Sequence, residues 1–335
     1  MERYFRTVEI PALGCPNRKT LVVVGAGATR GASFAEERRL APPLDLDFFR
    51  ILQMSETGRT PEGRELLEHV RGNYGPGLQV GMEIVFNNLD SAKTFYEEIR
   101  VDPGRVPQWP ARLIDAFRVV LPRLLGETIE PTCAYHGALA YRLRTADAVV
   151  SLNYDCVMDW ALTSSAGSRF SASRGGYGID CSAGGDEWEG RAPGPSPAGS
   201  IQLLKLHGSL NWAAAGSPLR LRGTPTVYQA VPEGVIQPPL TNKPVTAEPF
   251  KSIWQAARRA VRDMRRLVLI GYSMPSADGL VRALLTTDLQ HALEEMIVVD
   301  PSEEVRTRHI ELFAQATTKV FPFESFRTFA DALEA

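Results

Sequence analysis

The feature that most constrains the fold is a short apolar run at residues 21–24, rich in β-branched side chains, that stops at a glycine. Such a run is typical of a strand that is buried on both faces of a parallel sheet. The glycine that follows it, Gly25, permits the tight turn by which a strand leads into a helix. The segment therefore predicts a strand, a tight turn and a helix, the first unit of an α/β fold.

Five similar apolar runs recur along the chain, and a helical pattern of apolar residues precedes most of them. They lie at residues 148–152, 201–206, 267–270, 296–299 and 318–321. Strands that alternate with helices form parallel sheets, because a parallel connection needs a crossover long enough to hold a helix. We therefore expect an α/β fold with a doubly wound, mostly parallel, Rossmann-like sheet.

Two long intervals interrupt the alternation of strands and helices. The first, residues 61–144, carries apolar residues at helix-face spacing. They are Ile84, Phe86, Leu89, Leu113, Ala116, Phe117, Val120, Leu121 and Leu124. We predict a helical insertion here, so that residues 1–60 and 145–335 together form a discontinuous Rossmann-like domain. The second interval, residues 164–200, is rich in Gly, Ser and Pro and predicts a flexible loop beside the site.

Charge and composition exclude several classes of function. The 335 residues carry a formal net charge of -2, which gives no surplus of positive charge for binding nucleic acid. No stretch reaches the roughly 18 apolar residues that a membrane span needs, and no signal sequence is recognisable, so we expect a cytoplasmic protein. The four cysteines are scattered without a Cys-x-x-Cys spacing. This distribution indicates reduced thiols rather than disulfides or a metal site.

The turn after the first strand is a candidate site for a dinucleotide. Backbone N–H groups at the amino end of a helix attract a pyrophosphate, and missing side chains let it approach. The residues concerned are Gly25, Ala26, Gly27, Ala28 and Thr29. The next glycine, Gly31, comes one place too late for the Gly-x-Gly-x-x-Gly pattern of dehydrogenases, and no acidic residue ends a second strand about twenty positions later. The turn alone therefore fits a simple tight turn or a dinucleotide site, and it disfavours a hydride-transferring enzyme.

Small or polar residues also follow four of the later strands. They are Asn153 and Asp155, then His207, then Gly271, Tyr272 and Ser273, and finally Asp300. Open α/β sheets bind their ligands at the carboxyl ends of the strands, so these residues are candidates for one site. There His207 suits either a general base or a structural role. Asp300 suits either a contact to a ribose hydroxyl or a helix cap.

The order of these motifs along the chain resembles that of the sirtuin-like superfamily. Gly-Ala-Gly, Asn-x-Asp, His-Gly, Gly-x-Ser and Asp follow one another at strand ends, and the resemblance covers roughly residues 21–50 and 148–329. It implies that the glycine turn binds the pyrophosphate of NAD+, with Asn153 and Asp155 at the nicotinamide ribose and carboxamide. It also implies that His207 is the catalytic base.

Two departures from the family pattern bear on the reaction. Deacylating sirtuins carry a four-cysteine zinc module after the His-Gly motif, whereas no cysteine follows Cys181 here. Asp47-Phe48-Phe49-Arg50 stands in place of the family's Gly-Ile-Pro-Asp-Phe-Arg loop, which makes Asp47 a candidate NAD+ contact. Without the zinc module one wall of the acyl-lysine groove is missing, so hydrolysis is favoured over deacylation.

Within the superfamily, residues 42–49, 205–212 and 271–275 look most like a bacterial branch that is associated with phage defence and destroys NAD+. The resemblance implies an NAD+ glycohydrolase that releases nicotinamide and ADP-ribose without a metal. An enzyme that empties the NAD+ pool must be controlled, so we expect a homo-oligomer, a separate regulatory or sensor protein, or both. Two alternatives stay open. One is deacylation or ADP-ribosyl transfer at the same NAD+ site, and the other is a sensor that binds NAD+ or ADP-ribose without cleaving it.

Overall fold

The computed structural model describes most of the chain from residue 19 onward. The described residues are 19–98, 107–172, 175–179, 181–182, 200–214, 219–221, 235–237, 245–275, 278–289, 291–317 and 319–334. Their strands are β1 (Thr20–Val24), β2 (Ala148–Ser151), β3 (Cys181–Ser182), β4 (Gln202–Lys205), β5 (Trp212–Ala214), β6 (Leu219–Leu221), β7 (Arg266–Ile270), β8 (Glu295–Val299) and β9 (Val320–Phe323). Their helices are α1 (Ala26–Arg30), α2 (Phe48–Met54), α3 (Pro61–Tyr74), α4 (Met82–Glu98), α5 (Trp109–Thr128), α6 (Ala134–Arg142), α7 (Val157–Ser165), α8 (Phe250–Asp263), α9 (Gly279–Thr286), α10 (Glu303–Leu312) and α11 (Phe326–Glu334). None of these helices is long and apolar enough to cross a membrane.

Six parallel strands form the main sheet, in the order β4-β2-β1-β7-β8-β9. They lie at the six apolar runs of the sequence, which confirms the expected α/β, doubly wound, Rossmann-like fold. Strands β1, β2, β7 and β8 are buried along their whole length, as expected for a parallel sheet that helices cover. A second sheet, in the order β3-β6-β5, is built from strands too short for the apolar pattern to reveal.

The order of the strands reverses at β1. From β1 the main sheet extends through β2 and β4 on one side, and β7, β8 and β9 extend it on the other side. Val24 pairs in register with both Ser151 and Ile270, so the carboxyl ends of the three central strands are level. The crevice between β1 and β7 is therefore the point at which open α/β sheets bind their ligands.

The interval between β1 and β2 is helical, as its apolar spacing predicts. Helix α5 packs against α3 and α4, whereas α6 packs against α7 and α11 and so joins the helices that flank the sheet. The buried face of α4 carries Val85, Phe86 and Leu89. Ile84, expected on that face, is 53% exposed, because residues two apart on a helix do not share a face and Ile84 is two places from Phe86.

Two aromatic residues in the first part of the interval 164–200 are buried. Tyr177 is fully buried, and its hydroxyl donates a hydrogen bond to Asp159 on α7. The buried ring of Phe170 lies edge-on to Tyr177. These two aromatic rings supply apolar contacts that the Gly- and Ser-rich composition lacks. Residues 183–199 lie outside the described residues, so there the loop stays a prediction.

Candidate active site

The register of the main sheet brings the sequence-predicted site residues together. The residues directly after the paired ends of β1, β2, β4, β7 and β8 are level with one another. They are Gly25, Leu152, Leu206, Gly271 and Asp300. Asn153, Asp155 and His207 all lie within three residues of this row. The strand ends therefore place the candidate base and the candidate ribose contacts at one edge of the sheet.

These strand ends line a cavity of about 860 Å³, which lies within the usual size range of ligand pockets. The predicted residues that line it are Gly25, Ala26, Gly27, Thr29, Asn153, Asp155, His207, Gly271, Tyr272, Ser273 and Asp300. The helical insertion completes the wall with Met82 and Glu83 from α4 and Leu121 and Leu125 from α5. Within the described part of the chain, no three His, Cys, Asp or Glu side chains converge as metal ligands would.

Two of the predicted NAD+ contacts do not line the cavity. Ala28 is fully buried, and its N–H donates to Gly25 O at 2.9 Å. Asp47 Oδ1 accepts from Leu44 N at 2.7 Å, and Asp47 Oδ2 lies 2.9 Å from Arg30 Nη2. For Ala28 and Asp47 the contact to NAD+ stays a prediction, and the structure gives the polar groups of both residues partners within the protein. Arg30, which Asp47 holds, does line the cavity.

The glycines of the turn are required for close packing between two strand ends. A Cβ on Gly25 would lie 2.5 Å from Gly271 O, and one on Gly27 would lie 2.7 Å from Gly271 Cα. Gly271 itself has a φ of +56°, and a Cβ there would lie 2.1 Å from Ala28 N. The N–H groups of Gly25 and Gly27 donate to the last carbonyl of β7 and to Gly271 O, at 3.0 and 2.9 Å. Among the described residues the N–H of Ala26 has no partner, so it is the donor that this turn offers to a ligand.

Asn153, Thr29 and Asp155 form a buried hydrogen-bonded chain in the cavity wall. Asn153 Nδ2 donates to Gly25 O at 3.0 Å and to Thr29 Oγ1 at 3.1 Å. Thr29 Oγ1 donates to Asp155 Oδ2 at 2.8 Å, and Asp155 Oδ1 accepts from Val157 N at 3.0 Å. Because Gly25 O can only accept, the amide nitrogen of Asn153 must face it. The remaining atom, Asn153 Oδ1, has no hydrogen-bond partner among the described residues and is available to a ligand.

His207 is oriented through one ring nitrogen and faces a carboxylate with the other. Its Nδ1 lies 3.1 Å from Leu152 O and must donate to it, because a carbonyl only accepts. In the neutral ring this leaves the lone pair on Nε2. That atom lies 3.5 Å from Asp278 Oδ1, and the Tyr272 hydroxyl donates to Asp278 Oδ2 at 3.4 Å. Burial raises the pKa of Tyr272 and Asp278 raises it further, so the phenol stays a donor.

A buried ion pair holds the backbone that carries Asp155. Lys205 Nζ lies 3.0 Å from Asp159 Oδ2, with both side chains fully buried. The same ammonium donates to Asp155 O, and the Tyr177 hydroxyl donates to Asp159. Burial favours the neutral amine, but the Asp159 carboxylate together with Cys156 and Asp155 outweighs it and raises the pKa of Lys205. The charged Lys205 therefore has a structural role, because its bonds fix the ammonium between α7 and the residues that follow β2.

Asp300 directly follows β8, and it is not the cap of the helix α10. It lines the cavity, and burial raises the pKa of its carboxyl. Its Oδ1 accepts from Ser302 N at 2.9 Å, which shapes the turn before α10. The cap of that helix is Ser302 itself, whose Oγ accepts from Val305 N at 3.3 Å.

Asp278 also lines the cavity, although no sequence motif indicates it. It precedes α9 directly and has the position of a helix cap, but its side chain makes no capping bond. Asp is common before helices for reasons of capping alone, so the local pattern gave no signal. Only its distance of 3.5 Å from His207 Nε2 separates it from other aspartates at helix starts.

Comparisons with known proteins show a distant structural likeness. No family model and no curated protein matches the chain. Among solved structures the chain is similar to a Sir2 homologue in complex with NAD, at 14% identity over 95% of this chain and 88% of that one, with a TM-score of 0.43. It is also similar to a mutant Sir2 homologue in complex with ADP-ribose, at 11% identity over 95% and 92%, with a TM-score of 0.36. Identities and TM-scores this low assign no function, so the function rests on the geometry of the site.

Proposed function

We propose that the chain is an NAD+ glycohydrolase, which hydrolyses the bond between nicotinamide and ribose to give nicotinamide and ADP-ribose. The observation that carries the proposal is the convergence of Asn153 Oδ1 and His207 on one cavity at the switch point of the sheet. A free amide oxygen and an imidazole are suited to orient and deprotonate a nucleophile. The sequence resemblance to NAD+-cleaving proteins supports NAD+ as the substrate.

The departure of nicotinamide leaves positive charge on the anomeric carbon of the ribose, as in glycoside cleavage. Asn153 is held by Gly25 O and Thr29, so its Oδ1 points to a fixed place. There it accepts a hydrogen bond from the attacking water or from a ribose hydroxyl. Asp155 completes the arrangement by fixing Thr29, since both of its oxygens already accept from the protein.

His207 accepts the proton that the water loses as it attacks. Its Nδ1 is tied to Leu152 O, so Nε2 is the nitrogen that takes the proton. The ring then becomes a cation, which Asp278 stabilises from 3.5 Å. General-base assistance of this kind is typically worth about a hundredfold to ten-thousandfold in rate. No step of this scheme requires a metal ion.

The other half of the cavity would hold the adenosine diphosphate part of NAD+. The N–H of Ala26 and the side chain of Arg30 supply donors for the pyrophosphate, and Ser273 and Asp300 line the region at the ends of β7 and β8. This set of phosphate donors differs from that of the usual phosphate-binding turn, because the N–H groups of Gly25 and Gly27 donate to the end of the neighbouring strand β7.

The test is to incubate the purified full chain with NAD+ and to quantify nicotinamide and ADP-ribose by chromatography. We expect equal amounts of both from the wild type, and at least a hundredfold lower rate from Asn153→Ala and His207→Ala. Asn73→Ala and His69→Ala on α3 are matched controls, because neither residue lines the cavity. Turnover that both cavity variants retain would refute the assignment.

Product analysis also separates the alternative activities. Addition of an acyl-lysine peptide would yield O-acyl-ADP-ribose if the chain were a deacylase, and labelled NAD+ would mark a protein if it were an ADP-ribosyltransferase. Tight NAD+ binding in calorimetry without any nicotinamide release would identify a sensor. Free ADP-ribose as the sole nucleotide product supports hydrolysis.

We further propose that the hydrolysis serves antiphage defence by emptying the cytoplasmic NAD+ pool, under control of self-association or of a separate sensor protein. The sequence resemblance to the phage-defence branch supports this role. Bacteria that express the wild type should lose NAD+ during phage infection, whereas those that express Asn153→Ala should keep it. Light scattering before and after activation measures self-association. A monomer at every protein concentration would exclude self-association, and a separate partner protein would then control the activity.

A further inference from the structure

A second, smaller hollow of about 290 Å³ lies on the other side of the loop that follows β7. Its lining residues are Met274, Arg282, Arg308, His309, Glu311 and Leu312, none of which lines the large cavity. Arg282 comes from α9 and the last four from α10. The hollow is thus a separate site, built from two helices and one loop residue.

Three basic side chains of the hollow hold three successive carbonyls of that loop. His309 Nε2 donates to Tyr272 O at 2.7 Å, Arg308 Nη2 donates to Ser273 O, and Arg282 Nη2 lies 3.5 Å from Met274 O. Met274 has a φ of +53°, which is unfavourable for a residue with a bulky side chain. The loop is therefore kept in a strained conformation by the same groups that line the hollow.

The two arginines have no carboxylate partner within 4.0 Å among the described residues. Other arginines of the chain do: Arg258, for example, forms two hydrogen bonds with Asp288. Glu311 also lines the hollow and offsets one of the two positive charges. The hollow therefore keeps a net positive charge and two guanidinium groups that can still donate to an anion.

One lining residue of the hollow, His309, carries a buried acceptor. His309 is 1% exposed, and its Nδ1 has no hydrogen-bond partner among the described residues. Burial lowers the pKa of His309, which favours the neutral ring. Since Nε2 carries the hydrogen that Tyr272 O accepts, Nδ1 carries the lone pair. A buried nitrogen of this kind costs free energy unless a hydroxyl or another donor reaches it.

We propose that the hollow binds the phosphate group of a small phosphate ester, with Arg282 and Arg308 donating to its oxygens and His309 Nδ1 accepting from a hydroxyl. Two guanidinium groups match the acceptors of a phosphate. A hydroxyl is supplied either by a protonated phosphate or by a sugar next to it. The volume of about 290 Å³ suits a ligand as small as a sugar phosphate.

Occupation of the hollow is expected to alter the large cavity. Tyr272 and Ser273, whose carbonyls His309 and Arg308 hold, line that cavity. A phosphate that engages Arg308 competes with Ser273 O for its N–H groups, so the loop shifts. This coupling rests on the proposed NAD+ site, whereas phosphate binding itself does not. By reciprocity, the ligand and NAD+ then change each other's affinity by the same factor.

The test is calorimetric titration of the full chain, without NAD+, with inorganic phosphate, ribose 5-phosphate and ribose. The variants are Arg282→Gln, Arg308→Gln and the double substitution. Arg259→Gln is the matched control, since it removes the same charge from α8 outside the hollow. All three positions are exposed arginine side chains, so the variants should fold, which thermal melting checks.

We expect phosphate and ribose 5-phosphate to bind and ribose not to bind. Each single variant should lose about tenfold in affinity, and the control should bind like the wild type. Tighter binding of ribose 5-phosphate assigns the hollow to a phosphorylated sugar, and equal binding assigns it to free phosphate. Absence of binding to the wild type, or binding that the double variant retains, would overturn the proposal. Neither result depends on whether the chain cleaves NAD+.

Discussion

The contact between the glycine turn and Gly271 leads to a quantitative prediction for Gly271→Ala. The added Cβ would lie 2.1 Å from Ala28 N and 2.2 Å from Gly27 C, and neither backbone atom can rotate away. Alanine at a φ of +56° costs about 1 kcal/mol or more. Overpacking of a rigid site costs about 1–3 kcal/mol. A shift of the turn also weakens the hydrogen bond from Gly27 N to Gly271 O, which contributes about 1 kcal/mol.

The free energy of unfolding should therefore fall by about 3–5 kcal/mol in Gly271→Ala. At about 2 °C per kcal/mol, the thermal midpoint should fall by about 6–10 °C. Gly72→Ala in α3 is the control, because nothing lies within 4 Å of its Cβ position. Alanine there should stabilise by up to about 1 kcal/mol. Scanning calorimetry measures both, and a Gly271→Ala protein that melts with the wild type would refute the packing argument.

Three further predictions concern individual side chains. Asn153→Asp replaces the Nδ2 donor to Gly25 O with an oxygen and places a second carboxylate near Asp155. The rate of NAD+ cleavage should therefore fall at least about a hundredfold. An unchanged rate would exclude the Asn153 amide from the mechanism. Asp278→Asn keeps the shape of the side chain but removes the charge beside His207. We expect kcat to fall about tenfold to a hundredfold, while KM changes less than about twofold. A rise in KM without a fall in kcat would make Asp278 a binding residue. Burial raises the pKa of the Cys133 thiol, but the His136 imidazole 3.1 Å away and nearby hydrogen bonds lower it to about 6 overall. Its alkylation by iodoacetamide, followed by peptide mass spectrometry, should therefore level off above about pH 7, and a rate that keeps rising towards about pH 9 would contradict the pairing.

The fold could be predicted because its strands are buried on both faces. A strand such as β1 or β8 is then apolar at every position but its first, and the run is visible without an alignment. The same signal fails at β5 and β6, which are only three residues long. The apolar pattern also gives no sign that Lys205, a charged residue at the end of an apolar strand, is fully buried. Its partner Asp159 lies 46 positions away, at a separation that no local pattern encodes.

Some residues of the candidate site could likewise be predicted from the sequence, and others could not. Asn153, Asp155 and His207 were predictable because each follows a visible strand, and parallel register brings strand ends together. Asp278 was not, because its role depends on how the loop after β7 folds back towards His207. The ion pair between Asp47 and Arg30 was not predictable for a related reason, because the sequence shows no distances.

The glycine turn shows which part of a motif carries functional information. Gly25 and Gly27 are explained by packing against Gly271, so any α/β protein with two strand ends this close would need them. What distinguishes this turn is Thr29, four positions after Gly25, whose hydroxyl joins Asn153 to Asp155. Thr29 also lines the cavity, and its hydroxyl helps to hold the Asn153 amide with its oxygen free of partners among the described residues. The link from Thr29 to Asn153 thus joins a common strand-to-helix turn to the site that we propose cleaves the bond between nicotinamide and ribose.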